Sequence, residues 1–251
     1  MQKREIGTVV SNVAAADKLH FIKIRLPEIS ADLVPGNFVS FLPPAESGAF
    51  LRRPFSVAGN SDGCLDFVIK NIGKGTAAIT AIKEGSEVEI LGPLGNRYPE
   101  IDKEKTVWYL GGGTGIASLF YLNRVHGNTG DIVFWGGKTA GELPEEQLLP
   151  AGCILTTDDG SRGEKGNVIQ VAEKYLAQKK PDIIVACGPR GLLKGAQMLS
   201  EKYGIPAWLS TEEFMACGMG ACAGCAVPLR KGGYAKACAD GPIFSADEVV
   251  L

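Results

Sequence analysis

Four cysteines crowd the end of the chain. In the stretch MACGMGACAGC, residues 215 to 225, Cys217, Cys222 and Cys225 fall within nine positions, and Cys238 follows thirteen residues after the third. Sulfurs so spaced can form a disulfide staple, bind a structural zinc ion or hold an iron-sulfur cluster. A chain of 251 residues can bury a core without covalent help, and seven cysteines cannot all pair with one another. The staple reading falls away. The order C-x4-C-x2-C with a distant fourth cysteine is that of the plant-type [2Fe-2S] loop, whereas structural zinc uses two short Cys or His pairs well apart. Gly218, Gly220, Ala221, Ala223 and Gly224 between the thiols are all small. A loop of such residues can turn tightly, take positive φ and aim its N–H groups at sulfur. An iron-sulfur cluster is favoured over zinc. Cys64, Cys153 and Cys187 lie apart and read as small buried hydrophobes.

Other stretches carry the marks of phosphate binding. RRPFSVAG, residues 52 to 59, follows an Arg with Pro and then a hydroxyl residue, so that a fixed backbone can stand beside a guanidinium that grips phosphate. VIKNIGKGTAAI, residues 68 to 79, has a Gly-x-Gly-Thr turn opening a helical run, the layout of a phosphate seat. YLGGGTGIAS follows an apolar strand and opens a helix, a place for a dinucleotide pyrophosphate. It is not the Rossmann fingerprint. The third glycine counted from Gly111 would fall on Ile116, and no acidic residue ends the next strand, where WGGKT stands. TTDDGSRGEKG and ACGPRG both follow strands on the edge where open α/β sheets bind ligands.

The elements that must position these residues differ along the chain. Residues 1 to about 100 alternate short β-rich runs with Gly and Pro turns, which predicts a small antiparallel barrel. From about residue 105, apolar strands alternate with helical stretches, which predicts a parallel sheet with crossover helices. The expected division is 1–100 for the barrel, 101–210 for the α/β domain and 211–251 for the cysteine segment, too short to fold alone and so packed on its host. With 26 basic and 28 acidic side chains, a net charge of -2 and 45% hydrophobic residues, nothing marks a nucleic-acid binder. The start lacks the apolar core of a signal peptide, and no apolar run approaches the roughly 18 residues of a membrane span. The expected location is the cytoplasm.

In this order, Arg53-Pro54-Phe55-Ser56, the Gly75-Thr76 turn, Gly111-Gly112-Gly113-Thr114-Gly115, Asp158-Asp159-Gly160-Ser161 and Cys187-Gly188-Pro189 resemble the ferredoxin reductase family. EEFMACGMGACAGCAVPL and KACADGPIF narrow the resemblance to the iron-sulfur, electron-transfer subunits of the NAD-dependent B-type dihydroorotate dehydrogenases, over essentially the whole chain. The resemblance implies that Arg53, Pro54, Phe55 and Ser56 hold the flavin and its pyrophosphate, and that Ile69, Lys70, Asn71, Gly75 and Thr76 complete an FAD site. It implies a nicotinamide nucleotide on Gly111, Gly112, Gly113, Thr114, Gly115, Asp158, Asp159, Gly160, Cys187 and Gly188, and a [2Fe-2S] cluster on Cys217, Cys222, Cys225 and Cys238. The implied partner is an FMN-containing catalytic subunit that oxidises dihydroorotate to orotate for pyrimidine (UMP) synthesis, in a heterotetramer of two chains of each kind.

The residues agree on an independent point. Oxidising a carbon acid needs a general base, most often His. This chain has only His20 and His126, neither beside a nucleophile or second titrating group in the sequence, so both read as surface or structural residues. Asp158 and Asp159 suit a polar nucleotide-binding loop better than an acid/base pair. The substrate chemistry is therefore expected on another polypeptide, and hydride exchange between nicotinamide and flavin needs no dedicated base. Electrons are expected to pass from the partner's flavin through the cluster to FAD and leave as hydride on NAD+. Lys138, after the second sheet strand, could meet a 2′-phosphate, but the resemblance favours NAD. Other readings are the reductase of an electron-bifurcating, sulfide-linked or oxygenase system and, from a different class, a zinc-bearing interaction module, which would be colourless.

Overall fold

A computed structural model describes residues 2–150 and 152–251. Six antiparallel strands close a barrel in the order β1 (Lys3–Ala16), β2 (Leu19–Arg25), β5 (Cys64–Lys70), β4 (Arg53–Ser61), β3 (Phe38–Phe41) and β6 (Glu87–Leu94), with β6 returning to β1. Two short helices, α1 (Pro27–Asp32) and α2 (Lys74–Thr80), cover its ends. Period-two alternation sends Phe41, Phe67 and Ile69 inward, where Phe41 meets Phe55 and Phe67 edge-on at 5.0 Å between ring centres. The inward side chains of the barrel form one packed core.

The second layer is a seven-stranded sheet in the order β10 (Glu164–Lys165), β9 (Ile154–Thr157), β8 (Ile132–Gly137), β7 (Val107–Gly112), β11 (Ile183–Cys187), β12 (Ala207–Ser210) and β15 (Ile243–Ser245). All neighbours are parallel except β15, which runs antiparallel to β12. Helices α3 (Ile116–His126), α4 (Val168–Leu176) and α5 (Arg190–Tyr203) cover the sheet. β7 and β11 are buried throughout, as strands covered on both faces must be. Trp108, Leu110, Ile184 and Ala186 face one core, while Val107, Tyr109, Val185 and Cys187 face the other. Asn167 caps α4 by accepting from Gln170 N–H at 3.0 Å while Gln170 returns the bond, a capping box.

The C-terminal segment does not stand apart. Its hairpin, β13 (Ala226–Pro228) and β14 (Tyr234–Lys236), shares one hydrophobic core with Phe38 and Leu94 of the barrel and with α4 and α5. Gln197 of α5 donates to Val249 O at 3.0 Å and also to Ala246 O. β15 then adds an edge strand to the sheet of its host. Among the described residues no helix is long and apolar enough to cross a membrane.

His126 corrects one expectation. It is buried, and Nδ1 lies 2.8 Å from Asp131 Oδ2, so it does have a titrating neighbour. Asp131 also takes Val107 N–H at 2.8 Å and Tyr109 O–H at 3.2 Å. The turn after α3 folds Asp131 back under the helix end, which sequence distance alone does not reveal. The pair ties helix to strand. His20 meets Asn12 Oδ1 at 2.9 Å across the β1–β2 pairing.

Candidate functional site

The barrel leans on the carboxyl edge of the sheet, and a cleft of about 380 Å³ opens between them. On the barrel side stand Arg53, Pro54, Phe55 and Ser56 of β4, with Val68 and Lys70 of β5 and Thr76 of α2. Arg53 can lie along the start of α2 because residue 75 is glycine: a Cβ there would fall 2.7 Å from Arg53 Nε. Thr76 secures the helix start, its Oγ1 accepting from Ile72 N–H at 2.9 Å and Gly73 N–H at 3.0 Å. Strand alternation divides the stretch 68 to 72. Val68, Lys70 and Ile72 face the cleft, while Ile69 is wholly buried in the barrel and Asn71 gives its N–H to Lys18 O at 2.7 Å.

The opposite wall comes from the sheet. Thr114, Ala117 and Cys187 form its base, and the chain leaving β12 supplies Ser210, Thr211, Glu212 and Met215, with Pro242 beside them. Glu212, Met215 and Pro242 belong to the stretches EEFMACGMGACAGCAVPL and KACADGPIF that carry the resemblance, yet nothing in the sequence marks them as cleft residues; Ser210 and Thr211 have as their one signal a polar stretch directly after an apolar strand on the ligand edge. Cys187 is buried, and burial, followed by the charge of Glu212, pushes its thiol up to about 12. It is a neutral thiol on the cleft wall. Glu212 is open to water at the mouth yet hemmed in by walls on several sides, and that crowding lifts its carboxyl above the ordinary range.

A larger cleft of about 700 Å³ continues along the sheet edge. It is bounded by Gly112, Gly113 and Thr114 after β7, by Gly136, Gly137 and Lys138 after β8, by Asp158 after β9 and by the starts of α4 and α5. Strand ends and helix starts meet here as in other open α/β sheets. The glycines of 111 to 115 divide their work. A Cβ on Gly111 would fall 2.3 Å from Ile116 Cδ1 and one on Gly115 2.5 Å from Cys187 O, so these two serve close packing. Gly113, at φ 55°, faces open space in the cleft. Gly188, at φ 151°, is backed against the Gly112 backbone. Asp159 and Gly160 form the turn beyond, where Ser161 N–H and O–H bind Asp159 Oδ1 at 2.9 and 2.6 Å and hold that carboxyl below its usual range. Glu142 spans the cleft wall, taking Lys70 Nζ at 2.7 Å on one oxygen and Lys138 N–H at 2.8 Å on the other. The two clefts share Lys70, Thr114 and Glu212.

The thiols follow in the chain that leaves the wall of the smaller cleft at Met215. Gly220 N–H donates to Cys238 Sγ at 3.0 Å, Cys222 N–H to Cys217 Sγ at 3.4 Å, Cys238 N–H to Cys225 Sγ at 3.4 Å and Gly224 N–H to Cys222 Sγ at 3.5 Å. Gly218, Gly220 and Ala223 take positive φ of 69°, 86° and 53°, which turns the loop around the sulfurs. The N–H groups of Met219 and Cys222 pull the Cys217 thiol down to about 6, whereas burial, with Cys225 beside it, pushes Cys238 up to about 11. Two thiol pairs result, 217 with 222 and 225 with 238. Among the described residues no three His, Cys, Asp or Glu side chains form a ligand set for one metal ion. Two pairs wrapped in N–H donors match the donor chemistry of a two-iron cluster better than a single tetrahedral zinc. Met215 and Pro242, on the cleft wall, lie two residues from Cys217 and four from Cys238.

A barrel and a parallel sheet meeting at such a cleft define the ferredoxin reductase class of flavoproteins. The solved NADH-dependent reduced ferredoxin-NADP oxidoreductase, studied for flavin-based electron bifurcation, superposes with a TM-score of 0.86 at 28% identity, over 98% of this chain and 90% of that one. The ferredoxin reductase of carbazole 1,9a-dioxygenase shares the fold, with a TM-score of 0.69 at 20% identity, over 81% of this chain and 67% of that one. Residues 212–250 match the family model for the iron-sulfur cluster binding domain of dihydroorotate dehydrogenase B. Curated electron transfer subunits of dihydroorotate dehydrogenase B (NAD(+)) are similar throughout. That of Caldanaerobacter subterraneus subsp. tengcongensis is 38% identical over 86% of this chain and 87% of its own length, and that of Geobacillus thermodenitrificans 34% over 99% of both. That of Streptococcus mutans is 35% identical over 99% of this chain and 98% of its own. The chain belongs to the family of electron transfer subunits of dihydroorotate dehydrogenase B (NAD(+)).

Proposed function

We propose that the chain relays electrons between an FMN-bearing dihydroorotate dehydrogenase subunit and NAD+, in a cytoplasmic heterotetramer serving pyrimidine (UMP) synthesis. The observation that carries this is the junction: two clefts share Lys70, Thr114 and Glu212, and Met215 and Pro242, two and four residues from Cys217 and Cys238, stand on the wall of the smaller one. When bound, FAD exchanges electrons in pairs or singly, the [2Fe-2S] cluster exchanges one at a time, and NAD+ takes a hydride.

The chain's own residues bind and orient. Arg53 offers a guanidinium to a pyrophosphate, Ser56 and Thr76 offer hydroxyls, and Phe55 and Val68 supply the apolar wall, in the proposed FAD site completed by Lys70 and by the backbone of 69, 71 and 75. In the larger cleft Gly112, Gly113 and Thr114 present backbone N–H groups at the start of α3, with Gly111, Gly115 and Gly188 shaping the loop from behind. Asp158 and Glu142 stand on the wall beside Lys138, and two carboxylates there favour a ribose diol over a 2′-phosphate, hence NAD. Asp159 and Gly160 shape the turn that carries Asp158. The neutral thiol of Cys187 lines the smaller cleft without adding charge. Cys217, Cys222, Cys225 and Cys238 hold the cluster, and domain limits at 1–100, 101–210 and 211–251 follow this division of work.

The partner faces the cluster in this reading, as the exposure of Phe214, 96%, and of Met219, 48%, beside the thiols suits. An electron-bifurcating reductase is a structural relative, but the full-length relatives favour the dihydroorotate system. The test is an absorption spectrum of anaerobically purified protein with iron, sulfide and flavin quantified, before and after NADH. Flavin bands over a red-brown [2Fe-2S] envelope, both bleached by NADH, are expected. A colourless, zinc-containing protein would replace this reading with an interaction module.

A further inference from the structure

The thiols and the barrel wall of the flavin cleft lie far apart in sequence, so their spacing depends on what ties the C-terminal segment to the barrel. Beside the apolar core shared with Phe38 and Leu94, Asn96 makes a polar tie. It lies two residues beyond β6, and its Nδ2 donates to Asp240 O at 3.1 Å and Ile243 O at 2.8 Å while Oδ1 accepts Ile243 N–H at 3.0 Å. Its own N–H donates to Gly241 O at 2.6 Å. Both ends of the side-chain amide are thus spent on the stretch 240 to 243, which begins two residues after Cys238 and contains Pro242 of the cleft wall. Neighbouring residues fit the same purpose. Gly95 lets the strands close in, since a Cβ there would fall 2.7 Å from Pro242 Cδ. Asn37 is buried and holds the clamp from behind, its Nδ2 donating to Asn96 O at 3.1 Å and Gly95 O at 3.3 Å.

Resting on the functional reading above, the geometry points to Asn96 as a positioning residue that sets the gap between the Cys238 end of the cluster and the flavin cleft. NADH is the reductant: its hydride carries two electrons to the flavin, and one of them passes on to reduce one iron of the cluster from ferric to ferrous. Electron passage weakens steeply as two centres separate, whereas hydride transfer depends on the other cleft. Loosening residues 240 to 243 therefore slows the second step and spares the first.

The experiment follows the flavin and cluster bands separately after anaerobic rapid mixing of the loaded protein with NADH, alongside hydrogen exchange at the Ile243 amide. Asn96→Ala is expected to keep its flavin, iron and sulfide and to bleach its flavin band at the parent rate. Its cluster band should bleach at least about tenfold more slowly, the scale of a small misplacement, and its Ile243 amide should exchange faster. Asn60→Ala is the control, because it removes a comparable amide clamp on Ser30 O, at 2.8 Å, inside the barrel, and should change neither rate. If Asn96→Ala does not accumulate folded, Asn96→Asp keeps the acceptor for Ile243 and loses both donors, and the same slow cluster phase is expected. Parent-like cluster bleaching in the folded variant overturns the inference, as does equal slowing of both bands or slowing in Asn60→Ala. A parent protein without two NADH-responsive bands overturns the functional reading, and this inference with it.

Discussion

All four thiols of the C-terminal segment lie between positions 217 and 238, whereas the walls of the smaller cleft come from residues as distant as Phe38 and Pro242. The thiol loop is a local object: small residues, positive φ and backbone N–H groups surround sulfurs that are neighbours in sequence. The clefts are products of topology, made where a barrel meets the carboxyl edge of a sheet. A site of the first kind fails when a ligand is changed. A site of the second kind fails when the packing behind it is changed, and the two can be broken separately.

The largest effects fall on the thiols. Cys222→Ser and Cys225→Ser should both remove or weaken the cluster, but they should differ in the cluster-free fold. Cys222 is exposed, and its replacement should cost within about 0.5 kcal/mol. Cys225 is 2% exposed within the shared core, so a hydroxyl there should cost about 1–3 kcal/mol. Urea unfolding of both cluster-free variants checks the split, and equal stabilities would remove Cys225 from the core.

Next come the glycines of the larger cleft. Gly115→Ala must displace the Cys187 carbonyl, 2.5 Å from the new Cβ, and should cost about 1–3 kcal/mol of stability. Gly113→Ala meets open space at φ 55°, so its cost is conformational, about 1–2 kcal/mol, but its methyl stands in the cleft. Gly113→Ala should therefore weaken NADH binding more than its stability loss predicts. Titration of flavin reduction with NADH, set against thermal melts, separates the two; matched losses in both variants would mean that Gly113 is only a packing residue.

This contrast also explains what the sequence reveals. The thiol spacing and the order of strands and helices are legible because ligand spacing and period-two or helical patterning are local signals. The glycine loop was legible as a place, but not in its division of work, which depends on Ile116 and Cys187 lying behind it. Within 69 to 71 strand alternation sends the Ile69 side chain into the barrel and the Lys70 side chain to the cleft, so the stretch can offer a ligand side chain at 70 and only backbone at 69. Asn96 carries no motif at all, and Glu212, Met215 and Pro242, though inside the stretches that carry the resemblance, have nothing in the sequence that marks them as cleft residues. Pro242 stands directly before β15, which folds back against β12 and pairs Ser245 with Trp208, a long-range return that no local pattern announces.

A smaller effect sharpens the picture of the loop. Backbone N–H groups hold the Cys217 thiol near 6, against about 8.5 for an ordinary thiol, while Cys238 stands near 11. In cluster-free protein Cys217 should be alkylated with a midpoint near pH 6, and Cys238 should resist throughout the neutral range. The lowered value also stabilises the fold: the contribution is full above the ordinary thiol range and is lost as pH falls through 6. Mass-spectrometric mapping of iodoacetamide labelling against pH reads the order, and simultaneous labelling of the two would mean that the N–H cradle exerts no pull.

The smallest effect lies at the junction of the two clefts. Crowding raises the Glu212 carboxyl, so the folded state disfavours its charge relative to the unfolded chain. The sign follows directly: the charge costs nothing below the ordinary carboxyl range, and the penalty grows as pH rises from that range to the raised value and stays constant above it. Glu212→Gln should then match the parent in stability near pH 4 and exceed it at pH 7, by a modest amount because water still reaches one side of the carboxylate and screens it. Ligands in the two clefts would cover that side. The advantage of Gln should therefore grow when flavin is bound, unless the flavin offers the carboxylate a donor, in which case it should shrink or reverse. Thermal melts at pH 4 and 7, with and without flavin, decide which. A profile identical to the parent in all four conditions would mean that Glu212 is solvated on every side and that the clefts meet elsewhere.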